Sequence, residues 1–173
     1  MILTGSLRKF ALTVHVISSV GWLGAVVAYL GLSIAVLNTE SGQMVRGSYL
    51  AMNVIIKFII LPFSIVSLLT GLVSALGTSW GLFRHYWIVF KLVLNIFANV
   101  ILLMYIQSIT HYAGLAADST LTNADLMALR DPTHVVHSSG ALVLLLVATV
   151  LGIYKPRGIT PFGRHKQLED RRT

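Results

Sequence analysis

Histidine is the residue type best placed to do chemistry in this chain, and five of its six histidines fall within or at the edge of long apolar runs. His15 lies in FALTVHVISSVGWLGAVVAYL, six residues past Lys9. At about 1.5 Å per residue it sits roughly 9 Å beyond that lysine. An ionisable group in hydrocarbon costs about 2.5–3.5 kcal/mol or more, so each one needs a reason. Ser18, Ser19 and Trp22 share its helix face by their spacing. Two readings stand side by side. His15 is a neutral imidazole bonded to a serine or carbonyl across a helix bundle, or an axial ligand to heme or a metal. His85, in GLFRHYW, pairs with His15 only if it reaches the same depth. A helix capped by Ser79 would put it there, whereas a helix starting at Tyr86 leaves it interfacial, with Trp80, Tyr86 and Trp87 as an aromatic belt. The second placement is the expected one.

A second group gathers at the far end. His111 closes the third apolar run, and His134 and His137 open the fourth, one turn apart. Imidazoles at i and i+3 can share a metal, and His111 is a candidate third ligand, for copper or zinc. The same histidines read equally as interfacial residues near acidic loops. His15 and His137 lie near opposite ends of the bundle, so one heme is not ligated by both. Lys91, Asn95 and Asn99 recur at i, i+4 and i+8 and make one polar stripe. The asparagines are expected to bond across helices, and Lys91 to snorkel toward headgroups. The sharper reading is a lining for a quinone, a heme propionate or an ion path, but a lysine is a poor neighbour for a metal cation. Asn53 and Lys57 repeat the spacing on the second run.

Cysteine is absent, so thiolate sites and disulfides are excluded. There is no G-x-S-x-G, no H-E-x-x-H, no methionine-rich copper motif and no phosphate-binding glycine loop, and all six acids lie in connections or the tail. Hydrolase chemistry is therefore not expected.

The elements that must position these groups follow from hydropathy. The 173 residues are 55% hydrophobic and 11% charged, with mean hydropathy +0.80. Soluble domains carry about 25% charge. Four runs of about 20 or more apolar residues appear, at roughly 10–37, 50–76, 82–109 and 134–154. The expected fold is all-α: a polytopic membrane protein built as a four-transmembrane-helix bundle, with a basic tail over 155–173. The first run is read as an anchor, being too long for a signal peptide. The net charge of +7 is a matter of topology, not of nucleic-acid binding. Nine of the 13 Lys and Arg fall at Arg8, Lys9, Arg84 and in the tail, which places both termini in the cytoplasm of a bacterial inner membrane. Pro62 should kink the second span. Asp131 should cap the fourth, and Thr122 or Asn123 a short surface helix. Strips of small residues, at Gly21, Gly24, Ala25, Ala28 and Gly31 and at Ser64, Ser67, Gly71 and Ser74, should let helices approach closely.

HVISSVGWLGA, GLFRHYWIVFKL, VVHSSGALVLLL and YKPRGITPFGR together resemble a bacterial family of small four-helix integral membrane proteins of unknown function. The resemblance covers most of the chain, with GLFRHYW and YKPRG its most specific parts. It implies the four-helix fold and places His15, His85 and His137 inside motifs. The His15-to-Gly24 pattern is also distantly similar to copper-resistance D-type membrane proteins and to four-helix heme-binding proteins related to a bacterial protoporphyrinogen oxidase.

Three functions follow as expectations. The first is b-type heme and electron transfer, with His15 and His85, or His111 with His134 or His137, as ligands, Lys91 and Asn95 beside the cofactor, and a quinone or membrane redox protein as partner. The second is copper or zinc handling. The third is an accessory subunit with no cofactor, packing against a second copy or a larger membrane complex.

Overall fold

A computed structural model describes residues 4–77 and 81–170. The sequence readings at Ser79, Trp80, Arg171 and Arg172 lie outside the described residues. Four helical spans are long and apolar enough to cross a membrane. Helix α1 covers Gly5–Asn38. The second span joins α2 (Gly42–Ile55) to α3 (Leu61–Leu76) through a π-helical turn, Ile56–Ile60. Helix α4 covers Tyr86–Ala117 and α6 covers Thr133–Tyr154. Two short helices flank them, α5 (Asn123–Ala128) and α7 (Pro161–Asp170). The chain is an all-α, multi-pass bundle. α1 packs on the second span and on α6, and α4 packs on the same two, so consecutive spans are neighbours.

Helices α4 and α6 present exposed apolar side chains such as Phe90, Val93, Val143 and Val150 on their outer faces, as lipid demands. Phe10, Phe58, Met104 and Ile153 are each at least two-thirds exposed and form part of that outer surface. The densest core lies toward the end that carries the 39–41 and 118–132 connections. There Val36, Val45, Tyr49, Met52, Ile109 and Ala116 are sealed from solvent. At the other end, which carries both termini and the 77–85 connection, the helices leave a cavity between them.

Several local features depart from the sequence expectation. Pro62 lacks an N–H for an ordinary helical bond, and the chain answers with the π turn just before it, where the Leu61 N–H reaches back to Ile56 O. The second span begins at Gly42 and the third ends at Ala117, several residues beyond the apolar runs. Their polar ends extend out of the apolar stretch as helix. Asp131 bonds the Thr133 N–H (2.8 Å), although Pro132 occupies the cap position itself. Thr122 caps α5 in a reciprocal capping box with Asp125. The small-residue strip on α1 is only partly a contact surface. Gly21 lies against Phe63, while Gly24 and Gly31 have open space in front of them.

Candidate functional site

The end carrying both termini holds the first candidate. His15 on α1 reaches α3, where its Nδ1–H donates to Ser67 O (3.0 Å), with Thr70 Oγ1 3.2 Å away. A carbonyl only accepts, so the neutral ring carries its proton on Nδ1. Nε2 is left with a lone pair and no hydrogen bond among the described residues. Ser19 bonds Ser67 Oγ beside it (2.8 Å), tying the same two helices together. Gly71 makes room for the imidazole: a methyl there would lie 3.2 Å from His15 Cε1. The contact is the one the first sequence reading of His15 expects, a ring bonded to a carbonyl across the bundle.

His15 lines a cavity of about 370 Å³ that also takes in Arg8, Lys91, Lys155, Asn95 and Trp87. Among the described residues no acidic side chain lines it. Lys91 rises from α4, with Gly152 of α6 leaving space for its ammonium. Lys155 ends α6 at φ 45°, a left-handed conformation that glycine normally supplies. The asparagine stripe differs from expectation. Asn95 donates to Lys91 O (2.8 Å) and Asn99 to Asn95 O (2.9 Å), so both amides back-bond their own helix instead of bridging to another.

The rim of this cavity is closed by two distant stretches, GLFRHYW and YKPRGITPFGR. Thr160 N donates to Arg84 O (3.0 Å) and Tyr86 N to Gly158 O (3.3 Å), with an isolated bridge between His85 and Ile159. Thr160 Oγ1 hydrogen-bonds Phe83 O and accepts from Gly163 N (3.0 Å). Gly81, at φ 63°, allows the turn that brings the first stretch in. α4 starts at Tyr86, with His85 as its extended cap residue. His85 is therefore held in the clasp and is not among the residues that line the cavity of His15.

The opposite end holds a cluster that sequence reasoning missed. His134 is buried, and its Nδ1 meets the hydroxyls of Tyr29 (3.2 Å) and Tyr105. Tyr49 and Tyr112 stand edge-on to its ring at 5.2 and 4.9 Å, and stack on each other at 5.3 Å. Tyr49 donates to Leu129 O (2.7 Å) and Tyr112 to Asp131 Oδ2 (2.7 Å), so the 118–132 connection caps the cluster. Arg130, reaching Thr39 O (3.2 Å), and Asn123, bonded to Gly42 N (2.6 Å), pin that connection to the helix ends. Hydrogen bonds from Thr133 and then Tyr112 hold the Asp131 carboxyl down to about 2. His134 Nε2 is buried with no partner. The signal was in the sequence: Tyr29 and Tyr105 stand well inside apolar runs instead of at their ends.

His137 stacks on Tyr105 (4.4 Å) and bonds Thr133 O through Nδ1 (2.8 Å). His111 is exposed and touches only the edge of Tyr112 among rings, at 6.0 Å. Among the described residues no group of three or more His, Asp or Glu is arranged to hold a metal, so His111, His134 and His137 do not converge as a three-ligand set. The chain matches no protein-family model, no curated protein and no solved structure.

Proposed function

We propose that this chain is a b-type heme protein of the bacterial cytoplasmic membrane, with both termini in the cytoplasm, that passes electrons to or from a membrane partner. The observation that carries the reading is the chemistry around His15. An imidazole whose Nδ1–H is fixed on a backbone carbonyl, leaving Nε2 as a lone-pair donor, is how proteins prepare an axial or metal ligand. It borders a cavity within the size range of small-molecule sites, set between facing helices. Arg8, Lys91 and Lys155 line the cavity and supply positive charge, which suits the two propionates of heme and repels a bare metal cation. Heme, when bound, supplies one-electron transfer. The chain's own part is to orient His15, hold the propionates at the rim and keep the ring edges in apolar surroundings. His85, held in the clasp, serves this site as structure and not as the opposing ligand. The skewed distribution of Lys and Arg supports the orientation.

The test is an absorption spectrum of detergent-purified protein, air-oxidised and then dithionite-reduced, from cells supplied with heme. The expected result is a Soret band that shifts on reduction, lost in His15→Ala while helical content stays. A flat spectrum for the wild type, or fully occupied heme in His15→Ala, rejects the assignment.

A further inference from the structure

The second cavity differs in kind from the first. It encloses about 290 Å³ between α1, the π turn, α4 and α6. Among the described residues no Lys, Arg, Asp or Glu lines it. Phe97 and Val136 stand at its edge and are each more than half exposed, so it opens on the apolar perimeter between α4 and α6. Its occupant therefore arrives through lipid, is largely apolar and has an uncharged head. That excludes phospholipids, fatty acids and porphyrins bearing propionates.

Polar atoms collect in one part of this cavity. Tyr29, Tyr105 and His137 all line it. Tyr29 and Tyr105 converge on a single nitrogen, His134 Nδ1. Tyr29 and Tyr105 also hydrogen-bond each other. With the His134 hydrogen on Nδ1, which strands no N–H at the buried Nε2, the pair uses one phenol hydrogen and keeps the other free to donate. His137 supplies the complementary role: with its Nδ1–H on Thr133 O, its Nε2 is an acceptor. The cavity thus combines a phenol hydroxyl able to donate, a nitrogen able to accept and a flat stacked pair, Tyr105 on His137. A quinone carbonyl needs a donor, a quinol hydroxyl needs an acceptor as well, and both heads are planar, neutral and carried on an apolar tail.

The geometry points to this cavity as a binding site for a lipid-soluble quinone and its quinol. The free phenol hydrogen of the Tyr29–Tyr105 pair bonds the head oxygen, His137 accepts from the quinol hydroxyl, and the tail leaves past Phe97 and Val136. The site stands on its own residues and does not require heme at the other end. It differs in place from the Lys91 stripe, for which a quinone lining is one of the sequence readings.

The experiment is a titration of protein reconstituted in phosphatidylcholine vesicles with decylubiquinone and, separately, decylubiquinol. Binding is read from quenching of tryptophan fluorescence, since the buried Trp22 lines the cavity. The expected result is saturable quenching above that of membrane partition. Tyr105→Phe keeps the ring and weakens binding by roughly three- to tenfold. Ala141→Phe, which fills the cavity, abolishes it, and neither variant alters any Soret band. Circular dichroism and elution profile check that both variants fold. Quenching that never saturates overturns the proposal. So does unchanged affinity in both variants, or equal affinity for a sterol of similar size. Loss of heme in His15→Ala with quinone binding intact separates the two sites.

Discussion

Gly71 offers the sharpest test of how His15 is held. A methyl at that position would sit 3.2 Å from His15 Cε1 and 3.6 Å from Nδ1, where ordinary contact begins at 3.4 Å. The ring must withdraw by about 0.2 Å, stretching an Nδ1–O distance of 3.0 Å to the outer limit of a good N–H···O bond. The bond is worth about 0.5–1.5 kcal/mol, and replacing glycine by alanine within a helix returns up to about 1 kcal/mol. The two nearly cancel for Gly71→Ala, so its unfolding temperature should hardly move. Ligand orientation has no such compensation. Heme retention should fall by up to about tenfold in Gly71→Ala. It should fail in Gly71→Val, whose branched side chain displaces the ring altogether. The assay pairs the heme-to-protein ratio with thermal unfolding in detergent. Gly71→Val with full heme and a wild-type spectrum would refute the argument that this glycine seats the ligand.

Asp131 gives a pH-dependent test. Its carboxyl is depressed from 3.8 to about 2 by Thr133 and Tyr112, so its ionised form favours the fold. That stabilisation is complete above its unfolded value and is lost as pH falls from about 4 to about 2. Screened by solvent, it amounts to about 1 kcal/mol. Wild type should exceed Asp131→Asn by this margin at neutral pH and converge with it near pH 2, as read by thermal melts; a gap that widens in acid contradicts the assignment. Thr160→Val should strand the buried Gly163 N–H and the Phe83 carbonyl at about 1–3 kcal/mol. Limited proteolysis should then cut the tail faster, and an unchanged cleavage rate would deny the clasp its role.

The four spans were legible because hydropathy is a one-dimensional property and lipid enforces it along each helix. The polar contacts inside the bundle were harder, because they depend on which faces meet. Spacing put Ser18, Ser19 and Trp22 on the face of His15, but its partner Ser67 is 52 residues away. The asparagine stripe misled because a helix interior offers a carbonyl four residues back, and Asn95 and Asn99 both take it. The sequence supported two starts for α4 and favoured Tyr86, where the helix begins, but not the pairing of residues 84–86 with residues 158–160, which lie more than 70 positions away. Tyr29, Tyr49, Tyr105 and Tyr112 were overlooked because tyrosine in a membrane protein is usually an interfacial residue. Only three dimensions bring all four around one histidine.

The two cavities divide α1 between them, His15 bordering one and Tyr29 the other, 14 residues apart. That is about 21 Å along the helix axis, roughly two-thirds of a 30 Å hydrocarbon core. A charge carried from one to the other therefore crosses a corresponding share of the electric field. At about 2.3 kcal/mol per elementary charge per 100 mV for full transit, the step is worth roughly 1.5 kcal/mol per 100 mV. If the two proposed sites exchange electrons, the resting voltage of the membrane would favour one direction of transfer and oppose the other.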